Sequence, residues 1–307
     1  MHSEVSTHQF LQKPCDTEDL KLRLNLAFNM RDALENGMLK TMVGRLRSIP
    51  SLPTLYNELN SALASPDTSL SQLERIIEKD LGMATKILQL ANSAFVAARS
   101  QVSSVKQAVA LIGTNTIRTL AISVHVFSQF EGSSAVKEHL PSLWEHSSAV
   151  ASLARQIATT ENQPGLIREQ SFTAGLLHDI GRAILLAELP KEYLPILTQA
   201  AADPAEVLPL ETEIFGCTHA QIGAYLLSIW GLPPELIHVV ALHHRPSDEA
   251  RSHFSPLTAV HCADVIAAQG TNSVTVADGV LDTEYLERLG LTEKMPLWQN
   301  LYDRVQL

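Results

Sequence analysis

"LLHDIGRAI", residues 176–184, sets a histidine and an aspartate side by side inside an apolar, helix-like run. Burying two ionisable groups there is costly unless something satisfies them. Neighbouring residues on a helix lie about 100° apart, so His178 and Asp179 can serve one point only if it sits between them. A metal ion held between helices meets that condition, as the inward-facing ligand sets of helical bundles do. An acid/base pair, or the relic of either, is the competing reading of the same two residues.

The flanks of this stretch read as helix in both directions. In "LPTLYNELNSAL" the leucines 52, 55, 59 and 63 recur at three- and four-residue steps and form one apolar face. "SLSQLERIIEKD" opens with Ser71 and Glu74 at capping-box spacing, with Thr68 or Ser69 as the competing cap. "ATKILQLANSAF", "SSVKQAVALIG" and "TNTIRTLAISVHVF" continue the period, punctuated by Gly82 and Gly113. Alternation of the kind a strand needs is confined to "SVTVADGV" near 273–280. The fold class is therefore all-α. Polar breaks at 129–142 and 201–209 mark softer joints between helical stretches.

A chain of 307 residues can bury a sizeable core, and 45% hydrophobic with 18% charged residues is a globular composition. The net charge of -10, without a Lys/Arg cluster, argues against non-specific binding to nucleic acid, which needs clustered cations on phosphates. Cys15, Cys217 and Cys262 are widely spaced and form no CxxC pair, which fits a reducing compartment rather than a disulfide framework or a thiolate zinc site. No apolar run reaches the ~18–20 residues that span a bilayer. The first residues lack the basic-then-apolar pattern of a signal peptide. The expectation is a cytoplasmic protein without a membrane partner.

From Trp144 onward the polar residues change character. His146, the His178–Asp179 pair, His219, the His243–His244 pair and Asp264 each fall within or beside an apolar, helix-compatible segment. Neutral imidazoles and carboxylates suit first-row metals such as Fe, Mn or Zn. A carboxylate can bridge two such ions, and an ion pair of that kind activates water and clamps phosphoryl groups. Any one of these histidines alone reads rather as a hydrogen-bonded core or surface residue; five with two aspartates in this order do not. That simpler reading is kept for His125, His238 and His261, for Trp230 as a core anchor before a turn, and for Cys217 and Cys262 as buried small hydrophobes.

The order His, His-Asp, His, His-His, Asp is similar to the HD superfamily of metal-dependent phosphohydrolases, and within it to the cyclic-di-GMP phosphodiesterase branch called HD-GYP. That resemblance implies one metal on His146, His178, Asp179 and Asp264. It implies a second on Asp179 as bridge with His219, His243 and His244. Departures accompany it. The branch carries "HDIGK", whereas this chain has Arg182, which keeps a cation able to contact phosphate but presents a fork rather than an ammonium. "HHRPSDEARSHF" stands where the branch has Gly-Tyr-Pro, and Ser142 stands where trinuclear members use a glutamate.

"SIPSLPTLYNEL", "IIEKDLGMATKILQLANSAF" and "VSSVKQAVALIGTNTIRTLAIS" resemble the N-terminal lobe of HDOD domains, the HD-related output domains of bacterial signalling. Pro50, Pro53, Asp80, Asn92, Ser93 and Gly113 fall where that pattern expects them, and the likeness runs over roughly residues 46–290. Read by themselves, Asn92 and Ser93 suit a helix end, with a ligand contact as the alternative. Upstream, "HQFLQKPCDTEDLKLRLNLAF" resembles the last strand-to-helix segment of a response-regulator receiver, with Lys13 at the position of its phosphate-sensing lysine, though no receiver aspartate precedes it.

These resemblances imply a two-lobed helical HDOD fold: a receiver-like tail and linker helix at 1–45, an N-terminal lobe at 46–135 and an HD-like lobe at 136–307. They imply a signal-transduction output module acting through protein or nucleotide-ligand contacts rather than through catalysis, with a mono- or dinuclear metal centre. The alternative is an active metal-dependent phosphohydrolase on a cyclic dinucleotide or another nucleotide phosphate.

Overall fold

Short polar side chains set the ends of the first helices. The computed structural model describes residues 41–42, 44–45, 54–65, 68–92, 102–114, 116–117, 119–121, 123, 134–200, 203–269 and 279–306. Helix α1 spans Thr54–Ala64 and α2 spans Leu70–Ile77. Ser69 is the cap of α2, its hydroxyl accepting from the Gln72 N–H, so Ser71 lies inside the helix rather than at its start. Asp80 caps α3 (Leu81–Ala91) by accepting from Met83 N–H at 3.0 Å, which leaves Gly82 in the first turn instead of at a break.

Asn92 ends α3 and also brackets the chain ten residues on. Its amide donates to the carbonyls of Leu88 (2.9 Å) and Val102 (2.8 Å) and accepts from Val102 N–H at 2.8 Å. That is the helix-end role. Ser104 then caps α4 (Val105–Ile112), which stops at Gly113 with φ of 88°, a conformation that a side chain would strain.

Helix α5 runs from Ser134 to Thr160 and takes in residues 134–142, which their polarity and Pro141 mark as loop in the sequence. The helix holds because Leu140, Leu143 and Trp144 bury one face just beyond those polar residues. It is followed by α6 (Gly165–Leu177), α7 (Ile180–Glu188), α8 (Pro190–Gln199), α9 (Val207–Phe215), α10 (His219–Ile229), α11 (Pro234–Leu242), α12 (Pro256–Gln269), α13 (Thr283–Leu289) and α14 (Met295–Gln306). Helix α5 packs on α6 and α12, while α10 packs on α7 and α11.

Two apolar cores meet along α5. Leu140, Leu143, Trp144 and Ala151 face a core that extends from Met42 to Val240, and Val150, Leu153 and Ile157 face one closed by α12 to α14. Trp298 of α14 is fully buried in the second and donates its indole N–H to Glu161 at the far end of α5, at 3.2 Å. Burying a side chain of that size contributes about 2–3 kcal/mol, enough to hold the last helix down. The described residues contain no strand, and no helix among them is long and apolar enough to cross a membrane. The receiver-like stretch around Lys13, together with Pro50, Pro53, Ser93, His125 and most of the strand-like 273–280, lies outside the described residues.

Candidate metal centre

The His178–Asp179 pair occupies a break rather than a helix interior. Helix α6 ends at Leu177 and α7 begins at Ile180, with Asp179 at φ -99° and ψ 15°, in the bridge region between α and β. The break solves the angular problem that a continuous helix poses, because the chain turns at the pair and lets both side chains face one interior point. Gly181 makes the turn compatible with close packing. A Cβ at that position would collide with the His219 carbonyl, so its absence lets α7 sit against the start of α10. The second adjacent pair is similar: His243 caps the C-terminal end of α11, and His244 follows in the turn beyond it.

The predicted ligands reach this interior from five separate places in the chain, and together they form two adjoining groups. His146 of α5, His178 and Asp264 of α12 make one; Asp179, His219, His243 and His244 make the other; in each, the potential ligand atoms lie within 4.8 Å of one another. His146 Nε2 is 2.9 Å from Asp264 Oδ1, and His178 Nε2 is 3.5 Å from the same oxygen. Asp179 stands between the groups. Its Oδ2 faces His178 Nε2 at 3.4 Å and His146 Nε2 at 3.9 Å; its Oδ1 faces His219 Nε2 at 3.2 Å and His243 Nε2 at 3.8 Å.

The outer ring nitrogens fix which lone pair looks inward. His178 Nδ1–H donates to the Gly175 carbonyl at 2.7 Å, and His243 Nδ1–H donates to the Val240 carbonyl at 2.8 Å. His219 Nδ1 lies 2.8 Å from Glu211 Oε2, and Glu211 also accepts the His219 backbone N–H at 2.7 Å. An imidazole whose Nδ1–H is engaged this way presents Nε2 as a ligand in a set orientation, the usual outer support of a metal-bound histidine. Inside the cluster, His178 Nε2, His243 Nε2, Asp179 Oδ1 and Asp264 Oδ2 are buried without a hydrogen-bond partner. Such atoms cost about 1–3 kcal/mol each when left unmade. A cation satisfies all of them at once, so the residues present fit a metal.

Charge within the cluster is unevenly spread. Burial alone would lower the His178 pKa, but the Asp179 and Asp264 carboxylates outweigh it and raise it to about 10. Burial pushes His243 down to about 4, and burial with its neighbours His243 and His219 holds His244 well below the ordinary histidine range. Burial would raise both aspartates, yet Arg182 and His178 draw Asp179 well below the carboxylate range, and His146 and His178 do the same for Asp264. Two ionised carboxylates facing imidazoles, with His178 giving up its proton on binding, are the donor set that borderline first-row ions take.

Arg182 is not placed where an incoming phosphate would meet it. The side chain is fully buried. Its Nε lies 3.0 Å from Asp179 Oδ1, a charge contact off the line of a good hydrogen bond, and its Nη1 donates to Tyr193 Oη at 3.3 Å. Tyr193 in turn donates to Glu211 Oε1 at 2.9 Å, closing a buried chain from Asp179 to His219. Glu211 and Tyr193 are buried neighbours of the candidate ligands that sequence reading missed. The signal available was an acid eight residues before His219, in a segment whose other polar residues face solvent. Ser142 donates to the His139 carbonyl at 2.9 Å.

The histidines set aside as packing residues divide. His261 is buried with both ring nitrogens used, Nδ1 donating to the His243 carbonyl at 2.7 Å and Nε2 accepting from Asp282 N–H at 3.0 Å. His238 is half-buried and pairs with Glu249 at 3.0 Å, so it is a partnered residue rather than a packing one. Cys217 and Cys262 are buried free thiols, and burial followed by the nearby Glu211 charge pushes Cys217 up to about 12. Trp230, 8% exposed, ends α10 just before Gly231, whose φ is 68°.

Comparison with known proteins places the fold. An uncharacterized protein of Treponema pallidum (strain Nichols) is 28% identical over 220 residues, which cover 71% of this chain but only 41% of that protein's own length. The chain is similar in fold to an HDOD domain protein of unknown function from Geobacter sulfurreducens, at TM-score 0.60 and 19% identity over 87% of this chain and 97% of that one. It is similar as well to a protein from Shewanella amazonensis SB2B named as a candidate phosphohydrolase, at TM-score 0.59 and 24% identity over 88% and 93%. The family model for the HDOD domain matches residues 49–246, from the start of the N-terminal helices to just past the His243–His244 pair, and the chain belongs to the HDOD domain family.

Proposed function

We propose that this chain is a metal-holding HDOD output module that acts in signal transduction through contacts with a protein or nucleotide partner, and that it does not turn substrate over. The observation that carries the reading is the set of inward-facing, unpartnered ligand atoms: His178 Nε2, His243 Nε2 and Asp264 Oδ2, supported by outward Nδ1 hydrogen bonds. Fe, Mn or Zn suits that donor set. Bound there, such an ion would act as a Lewis acid and a generator of hydroxide, the chemistry used on phosphate esters.

Two features favour binding over turnover. Arg182, the residue at the position of a phosphate-contacting lysine, is spent on Asp179 and Tyr193. The ligand side chains are also buried, with His244 the most exposed of those at the Asp179 and Asp264 carboxylates at 7%. A substrate as large as a cyclic dinucleotide needs one or more open coordination positions on the ion. The hydrolase reading keeps one point in its favour, the nearly full ligand set.

Elemental analysis of tag-free protein, reconstituted anaerobically with Fe(II) or Mn(II), tests the proposal together with a turnover assay on cyclic-di-GMP. Stoichiometric metal without turnover is expected. Absence of metal after reconstitution overturns the reading, and turnover that Asp179→Ala abolishes replaces it with the hydrolase.

A further inference from the structure

We propose that the centre takes a single metal ion, on His146, His178, Asp264 and the Oδ2 side of Asp179, and that the Arg182 guanidinium occupies the place of a second cation. The proposal rests on the metal-holding reading above and decides how that site is divided.

Asp179 has two faces, and they are differently engaged. Oδ2 looks toward His178 and His146, at 3.4 and 3.9 Å, and these contacts are imidazoles, whose protons a metal ion can displace. Oδ1 looks toward His219 at 3.2 Å and already has Arg182 Nε at 3.0 Å. A guanidinium stays charged under all ordinary conditions. This one cannot swing away, since α7 buries it and Tyr193 holds its Nη1. A divalent ion shared on Oδ1 would face a fixed like charge in a poorly screened interior, where such repulsion is strong.

Hydrogen bonding already satisfies one pair of ligands on the Oδ1 side. His219 Nε2 and His244 Nε2 lie 2.9 Å apart, so one donates to the other, while Glu211 takes the His219 Nδ1–H. That pair is satisfied without an ion. Among the remaining ligands His178 Nε2 and Asp264 Oδ2 have no hydrogen-bond partner, and neither has Asp179 Oδ1, whose contact with Arg182 is one of charge. His243 Nε2, also unpartnered, belongs to neither group alone: its ring centroid is 5.0 Å from that of His178 and 5.7 Å from that of His219.

The test is metal stoichiometry and the electron paramagnetic resonance spectrum of tag-free protein loaded with Mn(II). Wild type is expected to hold one ion per chain, with the six-line signal of an isolated Mn(II). His146→Gln should lose it, His244→Gln should keep one, and Arg182→Gln should rise to two with a spin-coupled spectrum. Two ions or a coupled spectrum in wild type overturns the division while leaving the metal-holding reading intact; no ion overturns both. A folded Arg182→Gln that still holds one ion also overturns it. If that variant does not fold, the contrast decides: retention in His244→Gln with loss in His146→Gln supports the division, and loss in both overturns it.

Discussion

His178 and His261 are both fully buried histidines on neighbouring parts of the molecule, and they do opposite things. His261 has a partner at each ring nitrogen, one the His243 carbonyl and the other the Asp282 N–H, so it ties α12 to two loops as a neutral cross-brace. His178 has one outward partner, the Gly175 carbonyl, and an inward Nε2 left at ion-pair distance from two carboxylates. Burial is the same in the two cases. What separates a ligand from a brace is the nitrogen that nothing in the chain satisfies.

The largest effect expected is at the carboxylate both faces of the cluster share. Asp179→Ala takes the adjacent carboxylate away from the buried Arg182 guanidinium, and breaking a buried charge pair costs about 3–5 kcal/mol. Chemical denaturation of the metal-free variant should show that loss, and metal should no longer raise its melting temperature. A metal-dependent rise that survives the substitution would place the ion elsewhere.

His261→Ala and His178→Gln test the contrast directly. Losing two buried hydrogen bonds at His261 should cost about 2–3 kcal/mol in the metal-free protein while leaving metal uptake in place. His178→Gln should instead remove the stabilisation that metal confers, about 4 kcal/mol at a thousandfold excess over Kd. Thermal melts with and without Mn(II) compare the two, and equal behaviour would erase the distinction.

Acid and base should act on these two residues with opposite signs in the metal-free protein. The His178 pKa is raised to about 10 by Asp179 and Asp264 against burial, so its contribution is complete below 6.5 and fades as pH rises toward 10. Burial holds His261 below 6.5, so the unfolded chain takes up that proton first and its contribution declines as pH falls below 6.5. Stability profiles of the two variants against wild type should therefore diverge on opposite sides of neutrality.

The smallest effect concerns the periphery. Burial would raise Glu249, but His238 and then Arg251 draw its carboxyl below 4.5, so its contribution is present above that pH and is lost on acidification. Glu249→Gln should flatten the acid limb of the melting curve by less than about 1 kcal/mol and leave metal content unchanged.

Much of this molecule was open to reading from local pattern. The leucines of α1 and the caps of α3 and α4 are short-range effects, fixed by spacing and by one side-chain oxygen. The ligand set was legible because His146, His178–Asp179, His219, His243–His244 and Asp264 are ordered as a recognisable series. Polarity misled at 134–142, where the helix is held by Leu140, Leu143 and Trp144 rather than by the residues that look loop-like. Glu211 and Tyr193 were hidden because their partners are eight and eleven residues away or more, across a turn.

The amino-acid order alone determined that the chain is helical, that it belongs with HDOD domains, and which imidazoles and carboxylates could meet. Those follow from periodicity and from residue identity, which are properties of neighbours along the chain. Only the tertiary structure decided that the His178–Asp179 pair sits in a break between two helices, that Nε2 faces inward while Nδ1 faces out, and that Arg182 turns to Asp179 instead of to a ligand. Such choices depend on which backbone carbonyls and carboxylates packing brings within about 3 Å, and a hydrogen bond or ion pair exists only over that range.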